Sequence, residues 1–143
     1  MRIPTDVSIR DAAAAALLSD GSPADLAWQL LRKPKGMGWV IVNKLLARKR
    51  PQLIAVYDGV VSCAFGCPPG LWSWLQPLFA ARDGALPDLL AWQRDAAGVP
   101  EAVSPLRVLD VIIWMRHEGE HRQDGCRGMA WGLAAGGDAR QSS

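Results

Sequence analysis

The sequence predicts an all-α, compact multi-helix domain. Apolar residues recur at intervals of three and four, and serine-proline pairs (Ser22-Pro23, Ser104-Pro105) stand where helices would open. Glycine and proline breaks separate the periodic segments. A chain of 143 residues, half of them hydrophobic and 21% charged, is long enough to bury one core without a metal or a disulfide framework. One helical domain is expected over residues 1–120, followed by a polar, glycine-rich, flexible C-terminal tail over 121–143.

Taken in order, Ser8 is placed to cap a helix running through the alanine-rich stretch to about Leu18, with Asp11 near its positive end and Gly21 as its stop. A second helix follows Ser22-Pro23 through Leu26, Leu30 and Leu31 until Pro34 interrupts. The turn Gly36-Met37-Gly38 leads into a third, Trp39 to Arg50, closed by Pro51. Gln52 to Tyr57 reads as extended, and Asp58-Gly59 opens a short helix over Val60 to Phe65. Leu71, Trp74, Leu75 and Leu78 form a stripe with Pro77 as a kink or stop, and Pro87 starts a further helix. Gly98-Val99-Pro100 breaks the chain again. The helix after Ser104-Pro105 is apolar nearly all round, which predicts a central core helix ending near Gly119.

Composition narrows the function. The seven tryptophans are expected in the core, where large rings fill gaps between helices. The longest apolar candidate, Val108 to Met115, is broken by Asp110 and falls short of the roughly 20 residues needed to cross a bilayer, so no membrane partner is expected. Met1 to Asp11 carries charges of both signs and lacks the apolar run of a secretion signal, which predicts a cytoplasmic protein. In that reducing compartment Cys63, Cys67 and Cys126 are expected as thiols.

A net charge of +2 is too small to name a partner, but its distribution is informative. From Leu26 to Tyr57 there is no acidic residue, while Arg32, Lys33, Lys35, Lys44, Arg48, Lys49 and Arg50 are basic. The Gly36-x-Gly38 turn opens onto a helix, so backbone amides of Gly36, Met37 and Gly38 are expected to face outward beside a positive helix end, a site suited to phosphate. The competing reading makes the glycines ordinary turn residues and the cations a solvated face. Lys33, Lys35, Lys44, Arg48, Lys49 and Arg50 are the candidate phosphate or DNA ligands, and Trp39 and Tyr57 either stack on bases or simply pack.

Lys35-Gly36-Met37-Gly38-Trp39, the helix through Leu46 and then Ile54-Ala55-Val56-Tyr57-Asp58-Gly59-Val60 resemble the hairpin, loop and aspartate of the helix-hairpin-helix DNA glycosylase superfamily. The resemblance implies phosphate binding at Gly36 and Gly38 and a catalytic position for Asp58, where a carboxylate would stabilise positive charge on the sugar and activate water. Val40 stands where lyase members carry lysine, and Gly59-Val60 where the family commonly has Thr-His. The local chemistry also allows Asp58 to act only as a helix cap. Over most of its length, including Lys44 to Pro51 and Val108 to Met115, the chain resembles an uncharacterised family of actinobacterial proteins.

His117-Glu118-Gly119-Glu120-His121 matches the H-E-x-x-H pattern of zinc hydrolases. Because Gly119 is expected to end its helix, the segment reads as a polar, solvated helix end, and no metal and no cofactor is expected; His117 and His121 are the candidates if an ion binds. Cys63-x-x-x-Cys67 joined to the two histidines has permissible spacing for a four-ligand zinc set, with buried thiols as the alternative. The expected function is a module that binds nucleic acid, DNA in particular, by its phosphate backbone. The alternatives are glycosylase-like hydrolysis at Asp58, or a Trp-rich surface that docks a protein partner.

Overall fold

The computed structural model describes residues 2–123, and all regular structure among them is helical. Seven helices follow one another: α1 (Ala14–Leu18), α2 (Pro23–Leu31), α3 (Trp39–Lys49), α4 (Gly59–Ala64), α5 (Leu71–Phe79), α6 (Ala85–Ala96) and α7 (Pro105–Gln123). The expected tail falls largely on residues 124–143, outside the described residues.

Local chemistry sets most of these boundaries. Ser22 accepts a hydrogen bond from the Asp25 amide, satisfying a donor that no helical carbonyl can reach, and Pro23 occupies the first helical position. Asp58 caps α4 through bonds from the Val60 and Val61 amides at 3.1 and 3.0 Å. The Ser104 hydroxyl accepts the Arg107 amide at the start of α7. The helix expected from Ser8 begins later, at Ala14. Ser8 and Asp11 instead close a turn in which the Asp11 carboxylate accepts the Ser8 amide at 2.7 Å. Pro77 lies inside α5 without ending it, since Phe79 completes the helix two residues on.

Packed neighbours run in the order α3, α2, α1, α5, α6, α7, α4. A single buried cluster links them, from Ile9 and Leu18 through Val42, Val61, Leu75 and Phe79 to Leu106. The segment expected to be extended, Gln52 to Tyr57, begins in a turn and then crosses the core as irregular chain, with Leu53, Ile54 and Ala55 buried. It is anchored by the Ile9 amide donating to the Gln52 carbonyl and by the Arg50 carbonyl accepting two amides.

Two expectations about the core are corrected. None of the six described tryptophans is buried: Trp92 is 62% exposed, while Trp28, Trp39 and Trp72 lie half-buried against the cluster or its edge. Phe79, 1% exposed, is the aromatic that fills the core. α7 is likewise not a central helix, because Val111, Ile112, Trp114 and Met115 face outward. Its inner stripe is Leu106, Asp110, Ile113, His117 and His121, apolar at one end and polar toward the other. The helix also continues through Gly119 to Gln123, so both histidines lie on regular helix and His121 is buried instead of solvated. No helix among the described residues is long and apolar enough to cross a membrane.

Candidate functional site

The glycine turn joins α2 to α3 and is exposed. Gly36 has φ of +88°, a left-handed conformation that a side chain would strain, whereas Gly38 is extended and caps α3. The expected display of turn amides is corrected in part. The Met37 amide donates to the Pro34 carbonyl and the Gly38 amide to the Gly36 carbonyl, both at 3.1 Å. The donors left for an anion are those of the first turn of α3, Trp39 to Ile41, which have no carbonyl one turn before them in the helix.

The basic residues divide into groups. Lys33, Lys35, Arg48 and Lys49 are exposed. Arg32 lies over the Trp28 ring at 4.6 Å. Arg50 is engaged internally, its Nε donating to the Ile3 carbonyl at 2.9 Å and another guanidinium nitrogen to Lys49. Of the stacking candidates, Trp39 and Tyr57 meet edge to face with centroids 5.3 Å apart. The Tyr57 hydroxyl accepts from Ser62 and donates to the Pro68 carbonyl.

Lys44 and Arg48, one helical turn apart on α3, border a cleft of about 640 Å³ whose other walls include Asp58 and, from α7, Arg107, Asp110 and Trp114. Asp58 is 7% exposed and serves two partners: Oδ1 caps α4, and Oδ2 lies 3.6 Å from the Lys44 ammonium. Asp110 is paired with Arg107 on its own helix. Burial pushes the Asp110 carboxyl above its ordinary value of 3.8, with Arg107 opposing, Asp58 reinforcing and Lys44 opposing the shift. The cleft therefore joins three cations and two carboxylates, one of which resists ionisation. Asp110 was legible in the sequence only as a charge interrupting an apolar run; its place opposite Asp58 depends on how α7 packs against α4.

A second cluster lies where α4 meets α7. Cys63, His117 and His121 bring one ligand atom each to within 4.8 Å of one another. His117 Nε2 is 3.1 Å from Cys63 Sγ, and its Nδ1 is 3.3 Å from Glu120. His121 is 8% exposed, and its Nδ1 is buried without a hydrogen-bond partner. Cys67 is a thiol and stands outside this cluster, so the four-ligand set that spacing permits does not form. Cys63 is disulfide-bonded, which corrects the expectation of a thiol there; Cys126 lies outside the described residues.

A protein-family model described as a family of unknown function, DUF6308, matches residues 1–117, and the chain belongs to that family. This agrees with the likeness to an uncharacterised family over most of the chain. No curated protein and no solved structure matches.

Proposed function

We propose that the protein binds the phosphate backbone of nucleic acid along α3, with Lys44 and Arg48 as the central contacts and Lys33, Lys35 and Lys49 extending the surface. The observation that carries this reading is the absence of any acid from Leu26 to Tyr57 around an exposed glycine turn and two cations set one turn apart beside an open cleft. The amides of Trp39 to Ile41 lie at the positive end of α3 and add to the attraction. Asp58 and Asp110 offset part of the charge, but Lys44, Arg48 and Arg107 outnumber them. Fluorescence anisotropy with labelled single- and double-stranded DNA across a salt series tests the proposal. Affinity should fall steeply as salt rises, and each of Lys44→Glu and Arg48→Glu should weaken binding and flatten the log-log salt slope by about one contact. Binding untouched by both reversals, with Arg82→Glu as the remote control, rejects it.

A second reading is favoured by the meeting of Asp58 and Asp110 in one cleft. Glycosidic cleavage uses two carboxyl groups held in different states, and a carboxyl with a raised pKa suits the acid while an anion stabilises the developing sugar cation. On this reading, which extends the likeness of Lys35 to Val60 to the glycosylase superfamily, Asp110 protonates the leaving base, while Asp58 supports the sugar cation and takes a proton from the water that adds to it. Incubation with duplexes carrying damaged bases decides it: base release abolished by Asp58→Asn supports the reading, and no release, or release unaffected by that change, ends it.

A further inference from the structure

The inner stripe of α7 turns polar at His117 and His121. A helix packing against a core is most stable with apolar residues on its buried stripe, as Leu106 and Ile113 are here. Continuing that stripe with His117 and His121 places two imidazoles against α4, and one of them has a buried nitrogen with no partner. An unmet buried polar atom is costly because it has given up its hydrogen bonds to water, so such a group requires an explanation.

The residues beside His121 supply one. His117 Nε2 points at Cys63 Sγ, while its other ring nitrogen faces the Glu120 carboxylate. This is the arrangement in which a carboxylate fixes the tautomer of a metal-binding histidine and leaves the far nitrogen's lone pair for the ion. The two histidines are spaced i and i+4 on uninterrupted helix, so both rings share one face. We infer that the Cys63 thiolate, His117 and His121 form a zinc-binding site that clamps α4 to α7.

The donor chemistry selects the ion. One thiolate with two imidazoles suits a borderline-soft cation, whereas calcium and magnesium require oxygen ligands. Bond lengths of about 2.0–2.3 Å in a tetrahedral site set donor separations of about 3.3–3.6 Å. The Cys63–His117 distance of 3.1 Å already approaches that value, and no pair in the cluster exceeds 4.8 Å, so closure needs side-chain movement of the order of 1 Å. The remaining tetrahedral position is left to water or to a further donor.

The disulfide at Cys63 makes the site dependent on reduction, because a disulfide sulfur carries no negative charge to offer. Reducing it takes two electrons and two protons and leaves two thiols. A phosphine delivers them by becoming a phosphine oxide with the oxygen of one water. Zinc then forms the sulfur–metal bond as the Cys63 thiol proton leaves to solvent.

The full chain, purified in phosphine reductant and stripped of metal, is titrated with Co²⁺ as a spectroscopic stand-in and separately with Zn²⁺, followed by gel filtration and metal analysis. We expect one equivalent of zinc and a near-ultraviolet thiolate-to-cobalt band that vanishes in Cys63→Ser. Affinity should fall at least tenfold in His121→Asn and in His117→Asn, and should stay unchanged in Cys67→Ser. Glu120→Gln, at an exposed position, should weaken binding severalfold. Circular dichroism checks each variant, and the wild-type cobalt spectrum tests the inference without any substitution. A reduced protein that binds no metal, a cobalt spectrum without the thiolate band, or binding unchanged in both folded histidine variants overturns the site.

Discussion

Asp110 and His121 occupy the same inner stripe of α7, about three turns apart, and both are buried polar groups, yet their surroundings treat them differently. Asp110 is answered from within the chain, by Arg107 one turn before it and by the charge of Lys44 across the cleft. His121 retains a buried nitrogen that nothing among the described residues meets. A polar group whose partners belong to the fold helps shape a cleft, whereas one left unmet points to something the fold receives from outside. The first end of the helix thus faces the proposed nucleic-acid surface and the second faces the proposed metal.

The largest expected effect sets the scale for this comparison. Phe79→Ala removes the fully buried ring of the core and should cost about 3–5 kcal/mol in a urea unfolding curve, more than any change at either polar position. Next comes Asp58→Ala, which takes away the cap of α4 at the floor of the cleft and should cost about 1–2 kcal/mol. Asp58→Asn keeps an oxygen for the cap, so it should preserve most of that stability while removing a negative charge beside Lys44, and DNA affinity should rise. Equal losses from Ala and Asn would mean that the ion pair, not the cap, is the stabilising contact.

His121→Leu in metal-free protein should stabilise by about 1 kcal/mol, because it replaces an unmet buried nitrogen with an apolar group. Destabilisation there would erase the distinction between the two ends of α7. The smallest effect belongs to Asp110→Asn. A carboxyl whose folded pKa lies above its unfolded value stabilises the fold fully below that unfolded value, near 3.8, and the contribution is lost as pH rises through the folded pKa. Stability of the wild type should therefore decline over that window, and the Asn variant should lack that part of the decline in thermal melts recorded pH by pH.

Residues at these two ends also mark how far the sequence could be read. Asp58 was visible as a cap because its partners, Val60 and Val61, are two and three positions away. The Cys63–His117 contact spans 54 positions, and spacing alone offered Cys67 as readily as Cys63 for such a cluster, although Cys67 stands outside it. Gly119 was expected to end α7, since glycine weakens helices in isolation. The packing of α7 against α4 and α6 carries the helix past it.

What the sequence by itself determined is the helical class and most of its punctuation: the caps at Ser22, Asp58 and Ser104 and the left-handed glycine at Gly36. These depend on backbone sterics and hydrogen bonds within about four residues, which the order of residues fixes directly. Tertiary structure decided which side of each helix faces inward. It kept the described tryptophans out of the interior, turned Trp114 and Met115 outward, and brought Asp58 to Asp110 and Cys63 to the histidines. An apolar stripe specifies burial without naming its partner, and only the packing of distant segments supplies one.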